Sequence, residues 1–233
     1  MKAVILGAME EEVDLLKSSL SDLASFSKAG MEVFKGFYGD VEVECARSGM
    51  GLVAAAAATQ FLIDSFSPDF LIFSGIAGAL RDRCGIGEVI IGKKARFLDA
   101  DMELISQDNP NLSEFSSDPI LTKAASKALE ELKIPHIEGI LASSNRFIGS
   151  PEAKEKARKE SEADGAEMEG AAFLQICAKN GRPALVLRTI SDGSSMEYAS
   201  FHHFDTSSYS RQSSRVVLKM LEILSPAKVG GEL

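Results

Sequence analysis

The chain has 233 residues, with 25 Lys and Arg against 34 Asp and Glu, and carries a formal net charge of −9. That acidic balance, with no stripe of Lys and Arg, argues against nucleic acid as a partner, and no apolar run approaches the roughly 18–20 residues that span a bilayer. A chain this long can bury a sizeable core, so one domain over residues 1–233 is expected.

The opening "KAVILGA" reads as a buried first strand, reached without a basic leader or a small-residue cleavage site, which predicts a cytoplasmic protein. From Glu10 the spacing Val13, Leu16, Leu20 marks one apolar helical face, so a strand-to-helix turn is expected at Ala8 and Met9. "MEVFKGFYGDVEVECAR" alternates around Gly39-Asp40 as a hairpin does. "GLVAAAAATQFLIDSF" is a helix with small residues on most sides, suited to close packing on a sheet. Next come the apolar strand "DFLIFSGIAGAL", the strand "EVIIG" and the stretch "KARFLDADMEL", with residues 104–117 a polar, turn-rich surface loop. A helix near 118–132, a strand "EGILASS", a helix after Pro151, the segment "GAEMEGAAFLQICAKN", a strand "PALVLRTIS" and a helix near 207–224 follow, and "PAKVGGEL" is expected to fray. Strands alternating with helical patterns predict an α/β fold with a parallel or mixed central sheet. Cys45, Cys84 and Cys177 are odd in number and far apart, which predicts reduced, buried thiols; His136, His202 and His203 have no metal-ligand spacing.

Four stretches carry chemistry-bearing residues. Glu10, Glu11 and Glu12 all favour the positive end of a helix, yet they stand at the carboxyl end of a strand, where open α/β sheets bind ligands. In "SGIAGAL", Gly75 and Gly78 lack side chains that would obstruct a ligand or a neighbouring backbone; tight strand-to-helix packing explains them equally well. "AEMEGAAF" sets Glu167 and Glu169 on either side of Met168, and such paired acceptors suit the vicinal hydroxyls of a ribose, the alternative being a helix-start carboxylate. In "PALVLRTISDG", six of the eight residues from Pro183 to Ile190 are apolar or Pro, yet Arg188 sits among them. A guanidinium there needs a carboxylate or a water-filled space, and Asp192 follows at the strand's carboxyl end.

Together "GAMEEEV", "SGMG" at 48–51, "SGIAGAL", "DAD" at 99–101, "FIGS" at 147–150, "EMEGAAF" and "RTISD" resemble the 5′-methylthioadenosine/S-adenosylhomocysteine nucleosidases of the nucleoside phosphorylase superfamily. The match runs in order through nearly the whole chain. The resemblance implies a three-layer α/β/α fold around a mixed, strongly twisted sheet. It also implies a homodimer that hydrolyses the N-glycosidic bond of 5′-substituted adenosines without metal or cofactor. By the same resemblance Glu12 activates the attacking water. Met168 and Glu169 bind the ribose. Asp192, supported by Ser191, protonates N7 of adenine. Arg188 holds the water and the carboxylate network, Phe147 and Ile148 stack on and bond the base, and Ile76, Ala77 and Gly78 line the substrate. Breaking the C1′–N9 bond leaves negative charge on the purine, so Asp192 has to carry a proton while Glu12 is ionised.

The adenine and ribose ends match the family pattern, whereas the 5′ end departs from it. Ile76 replaces a small polar residue, Asn145-Arg146 precede Phe147 where Gly-Asp-x is usual, residues 103–113 lack an aromatic, Gly-rich segment, and His202 falls near a usually aromatic position, with Phe201 and Phe204 close by. One alternative is therefore a futalosine or aminodeoxyfutalosine nucleosidase of menaquinone synthesis, with Arg146 pairing the carboxylate of the 5′ group. A phosphorylase is disfavoured because an acidic turn repels phosphate. A non-catalytic nucleoside-binding protein is disfavoured because binding alone needs no opposed acid and base.

Overall fold

A computed structural model describes residues 1–193 and 207–225. Phe201, His202 and Phe204, and the segment "PAKVGGEL" at 226–233, lie outside the described residues. Strand β1 (Lys2–Gly7) is buried from its second residue onward, as expected of a strand covered on both faces of a parallel sheet. It lies between β4 (Val41–Arg47) and β5 (Phe70–Ala79), parallel to both. The fully buried β10 (Ala184–Asp192) joins the far side of β5, again in parallel.

From there the sheet turns back on itself. Strand β6 (Val89–Phe97) runs antiparallel to β10, β8 (His136–Ser143) parallel to β6, and β9 (Gly165–Glu167) parallel to β8 and antiparallel to β5. The strands β5, β10, β6, β8 and β9 thus form a closed ring. On the open side, β1, β4, β3 (Met31–Tyr38) and β2 (Ser21–Lys28) extend as a wing, and the short β7 (Phe115–Ser116) edges β6.

Alternating strand residues feed two separate cores. Leu6, Phe73 and Val186 meet α2 (Leu52–Phe66) and α6 (Gly170–Lys179) through Leu62, Phe66, Phe173 and Cys177. Ile5, Ile72, Ile91 and Leu187 meet α1 (Glu10–Ser18), α4 (Pro119–Glu131) and α7 (Ser207–Leu224) through Leu16, Ala125, Leu129, Val217 and Leu221. Helices therefore cover both faces, giving the expected three-layer α/β/α fold. The remaining helices are the short α3 (Met102–Ile105) and α5 (Pro151–Ser161). Helix starts follow local chemistry. Asp118 accepts the Ile120 and Leu121 amides beside Pro119, and Ser150 Oγ accepts the Ala153 amide beside Pro151.

All three cysteines are buried and unpaired, and burial pushes the Cys45 and Cys84 thiols up to about 12. Among the described residues no helix is long and apolar enough to cross a membrane. The structure departs from the sequence reading in three places. Strand β2 is not expected from "SDLASFSK", because all eight residues are exposed and no buried face imposes an apolar alternation. Residues 104–117 hold the end of α3 and all of β7 rather than loop alone. Strand β6 also runs unbroken from "VIIG" into "KKARF".

Candidate active site

Strands β1, β5 and β10 are mutually parallel, so their carboxyl ends lie together. Past those ends opens a cleft, the place where open α/β sheets bind ligands. The turn after β1 and helix α1 bring Ala8, Met9 and Glu12 to it, β5 brings Ile76, Ala77 and Gly78, and β10 brings Ser191 and Asp192. The segments after β8 and β9 add Arg146, Phe147 and Ile148, then Met168 and Glu169. Of the expected site residues, all except Arg188 line the cleft. Arg188 lies behind it, 1 % exposed, as the largest fully buried side chain among the described residues.

Glu12 is 2 % exposed, whereas Glu10 is bound to Lys17 on the surface. Its Oε2 accepts the amides of Ala8 (2.6 Å) and Met9 (3.0 Å), and its Oε1 accepts the amide of Ile76 (3.1 Å). Burial raises the pKa of Glu12 above the ordinary glutamate value, while the Arg188 charge and these amides pull the other way. The balance is upward. The Arg188 charge thus opposes the effect of burial without reversing it, and the raised value makes the Glu12 anion a stronger proton acceptor.

Arg188 meets the need for a buried partner twice over. Its Nε and Nη2 bond Glu167 Oε2, with Nε at 3.1 Å, and Nη2 also reaches Glu169 Oε2 at 3.2 Å. The Phe73 ring lies beneath the guanidinium, 4.9 Å from its centroid. Glu169 has its other oxygen on the Gly51 amide at 2.8 Å, and burial pushes this carboxyl up to about 7 against the pull of Arg188. Glu167 turns inward, accepting the amides of Glu169 (3.1 Å) and Gly170 (2.7 Å) and the hydroxyl of Ser143. The two glutamates therefore divide the work. Both line the cleft beside Met168, but Glu167 spends its oxygens on the start of α6 and on Arg188, whereas Glu169 reaches across to Gly51.

Opposite Arg188 in the β10–β5 register stands Gly75. A methyl group there would collide with Arg188 Nη1 and Glu12 Oε1, and one at Gly78 would lie 2.9 Å from Asp192 Oδ2. These glycines clear space for the charged side chains, rather than for a helix, and β5 continues through both. Gly75→Ala is expected to lower the midpoint of thermal unfolding by the equivalent of about 1–3 kcal/mol. It should also depress turnover, because the guanidinium and Glu12 cannot both keep their places; an unchanged melting curve and rate would remove this role for Gly75.

The β10–β5 register shifts between Ile190 and Asp192. Such a bulge breaks the strict alternation of faces, which explains how the adjacent Ser191 and Asp192 both line the cleft. Ser191 Oγ donates to Asp192 Oδ1 at 3.0 Å. Asp192 Oδ2 accepts from Lys154 Nζ at 2.8 Å, and that ammonium, on α5, is 3 % exposed.

Sequence reasoning passed over Lys154, Glu167 as anchor, and the Gly51 amide. A signal for Lys154 existed, since it shares one buried helical face with Ala157 and Ser161. The Gly51 amide left none, because a backbone donor has no side chain to read.

The chain is similar to known proteins over nearly its full length. The family model described as "Phosphorylase superfamily" matches residues 2–222. A 5′-methylthioadenosine/S-adenosylhomocysteine nucleosidase of Shewanella sp. strain MR-7 is 33 % identical over 239 aligned positions, covering 98 % of this chain and 100 % of that one. The crystal structure of the nucleosidase of the same name from Colwellia psychrerythraea 34H, in complex with adenine, has a TM-score of 0.88 at 33 % identity and 96 % coverage of both chains. The futalosine hydrolase of Helicobacter pylori strain 26695 also has a TM-score of 0.88, at 29 % identity, covering 96 % of this chain and 98 % of that one.

Proposed function

The chain belongs to the phosphorylase superfamily, and from that premise we propose that it is a nucleosidase, an N-glycosyl hydrolase of 5′-substituted adenosines of the methylthioadenosine and S-adenosylhomocysteine type. One observation carries the reading: Glu12 and Asp192 line a single cleft together with Met168, Glu169, Phe147 and Ile148.

In this reading the base lies by Phe147 and Ile148, and Glu169 accepts from the ribose hydroxyls. An ionised carboxylate offers about four lone-pair sites, so Glu169 can accept them while still bound to Gly51 and Arg188. Glu12 takes a proton from the water that attacks C1′. Asp192 delivers a proton to N7, so the purine departs as a neutral base rather than an anion. Glu12 occupies the turn that a phosphate nucleophile would need, and its charge favours water. A cytoplasmic homodimer is part of the same proposal.

The decisive experiment incubates the purified protein with methylthioadenosine, S-adenosylhomocysteine, inosine and a 5′-carboxyaryl nucleoside of the futalosine type, with and without phosphate. Adenine and free methylthioribose, at a rate indifferent to phosphate, are the expected products. Sugar phosphate would mark a phosphorylase, and bound nucleoside left intact over hours would mark a binding protein. A second reading, cleavage of futalosine-type nucleosides, draws on Arg146. This residue lines the cleft with its side chain 82 % exposed, and its Nη2 lies 3.9 Å from Asp99, which leaves it available to a carboxylate on the substrate. Faster turnover of the carboxyaryl substrate would favour that reading.

A further inference from the structure

Helix α2 starts without a cap of its own. Its N-cap is Gly51, which has no side chain to accept from the first free amides, and two of those donors are met instead by residues far away in sequence. The Gly51 amide goes to Glu169 Oε1 at 2.8 Å, and the next amide, of Leu52, goes to Asn145 Oδ1 at 2.9 Å. Asn145 stands on the turn after β8, outside the cleft lining, but its neighbours Arg146, Phe147 and Ile148 line the cleft. The approach is close, for a methyl group on Gly51 would lie 3.0 Å from Asn145 Oδ1. The bond to Leu52 lies at the surface, where water would satisfy the amide as well, so it adds little to the stability of the fold. What it adds is a fixed position for the turn that carries Phe147.

We propose that Asn145 is a positioning residue for nucleoside binding: by clasping the start of α2 it fixes the base-stacking turn at Phe147 relative to the ribose-binding carboxylate of Glu169. This rests on the reading of the cleft as a nucleosidase site. Two adjacent amides of one helical turn hold the two residues, so the spacing between base and ribose subsites is set by rigid backbone rather than by the mobile ends of side chains. The other ties of the turn lie at its root. Ser144 Oγ donates to Asp99 and accepts the Arg146 amide at 2.9 Å, and the Ser144 amide donates to the Glu167 carbonyl at 3.1 Å. These secure the chain where it leaves β8, three residues before Phe147, whereas the Asn145 bond joins it to the helix that also holds Glu169. A nucleoside spans both subsites at once and feels the distance between them. Free adenine fills one and does not.

The test compares a ligand that spans both subsites with one that fills only the first. The wild type, Asn145→Ala and Asn145→Asp are assayed in the full chain for cleavage of methylthioadenosine, titrated calorimetrically with adenine, and melted. Asn145→Ala is expected to raise KM for methylthioadenosine about 2–10-fold, the equivalent of one neutral hydrogen bond, with kcat held within about 2-fold. Its affinity for adenine alone should change by less than about 2-fold, since a free base follows the turn wherever it rests, and its melting curve should stay that of the wild type. Asn145→Asp keeps an acceptor aimed at the Leu52 amide and sets its charge at the positive end of α2, so it should restore the wild-type KM. An unchanged KM in Asn145→Ala would overturn the proposal. Equal losses for methylthioadenosine and adenine would mean that the base subsite alone has loosened, and a defect that Asn145→Asp leaves unrepaired would mean that the hydrogen bond is not its cause; either result overturns it as well. A wild-type protein that cleaves no 5′-substituted adenosine would instead sink the nucleosidase reading, and the role of Asn145 with it.

Discussion

Glu12→Gln releases adenine from methylthioadenosine about 10²–10⁴-fold more slowly than the wild type while still folding and binding adenine; this is the expected result of removing one positioned base. Among the described residues, the carboxylate is the only group at the turn after β1 that both lines the cleft and is saturated with donors, taking the amides of Ala8, Met9 and Ile76. A carboxamide keeps one acceptor oxygen and turns an NH2 group toward at least one of those amides or toward Arg188. The donor left without an acceptor costs about 1–3 kcal/mol, which a folded domain of this size tolerates. Stopped assays of adenine release, calorimetric titration with adenine and a melting curve separate the two effects; wild-type release by a folded variant would remove Glu12 from the mechanism. The same geometry sets a pH dependence in the unmodified protein. A base must be ionised to act, and burial holds Glu12 above the ordinary glutamate range and Glu169 at about 7. On acidification kcat/KM should therefore begin to fall well above the pH at which a solvated glutamate titrates.

Which parts of the site are legible in the sequence follows a simple physical line. A charged residue inside an apolar run is conspicuous because burial without a partner is so unfavourable. Arg188 in "ALVLRTI" thus demands a carboxylate or a water-filled space, and the fold supplies two carboxylates, Glu167 and Glu169. Asp192 is legible for the same reason, as the end of that strand. Lys154 stands instead among Glu152, Glu155, Lys156, Arg158 and Lys159, where composition predicts a solvated helix; only the stripe it shares with Ala157 and Ser161 distinguishes it. Glu169 can be named, but not its second contact, since the Gly51 amide lies 118 residues away in sequence. The closed ring of five strands is equally hidden. Its closure rests on the short pairing of Gly78 and Ala79 with Ala166 and Gly165, which leaves no periodicity in either segment. A mixed sheet can be inferred from alternating strands and helices, whereas its closure depends on contacts that no local pattern encodes.

The site concentrates negative charge to a degree that one side chain has to answer. Glu12, Glu167 and Glu169 are each at most 7 % exposed, and the Arg188 charge acts on all three. The arrangement suits a reaction whose sugar becomes cationic, since preorganised anionic oxygens favour an oxocarbenium-like state. Its cost falls on stability once the cation is gone.

Arg188→Met accordingly loses about 3–5 kcal/mol, the usual penalty for stranding one side of a buried ion pair. That corresponds to a fall of roughly 6–20 °C in Tm for a domain of this length. Met replaces the stem against Phe73 without the charge, so the loss reports electrostatics more than packing. The sign with pH follows from Glu12 and Glu169, which burial already raises and which lose their main counter-charge in the variant. A carboxyl raised in the folded state favours folding below its unfolded value and opposes it as pH rises toward the folded value. The gap in Tm between variant and wild type should therefore be widest at about pH 8 and narrow toward about pH 5, as protonation relieves the unpaired carboxylates. Arg188→Lys, which restores the charge but has no planar fork to reach Glu167 and Glu169 together, should fall between the two. A gap that stayed constant across this range, or widened on acidification, would mean that Arg188 supports the fold by shape and that the carboxylates are neutralised by another group.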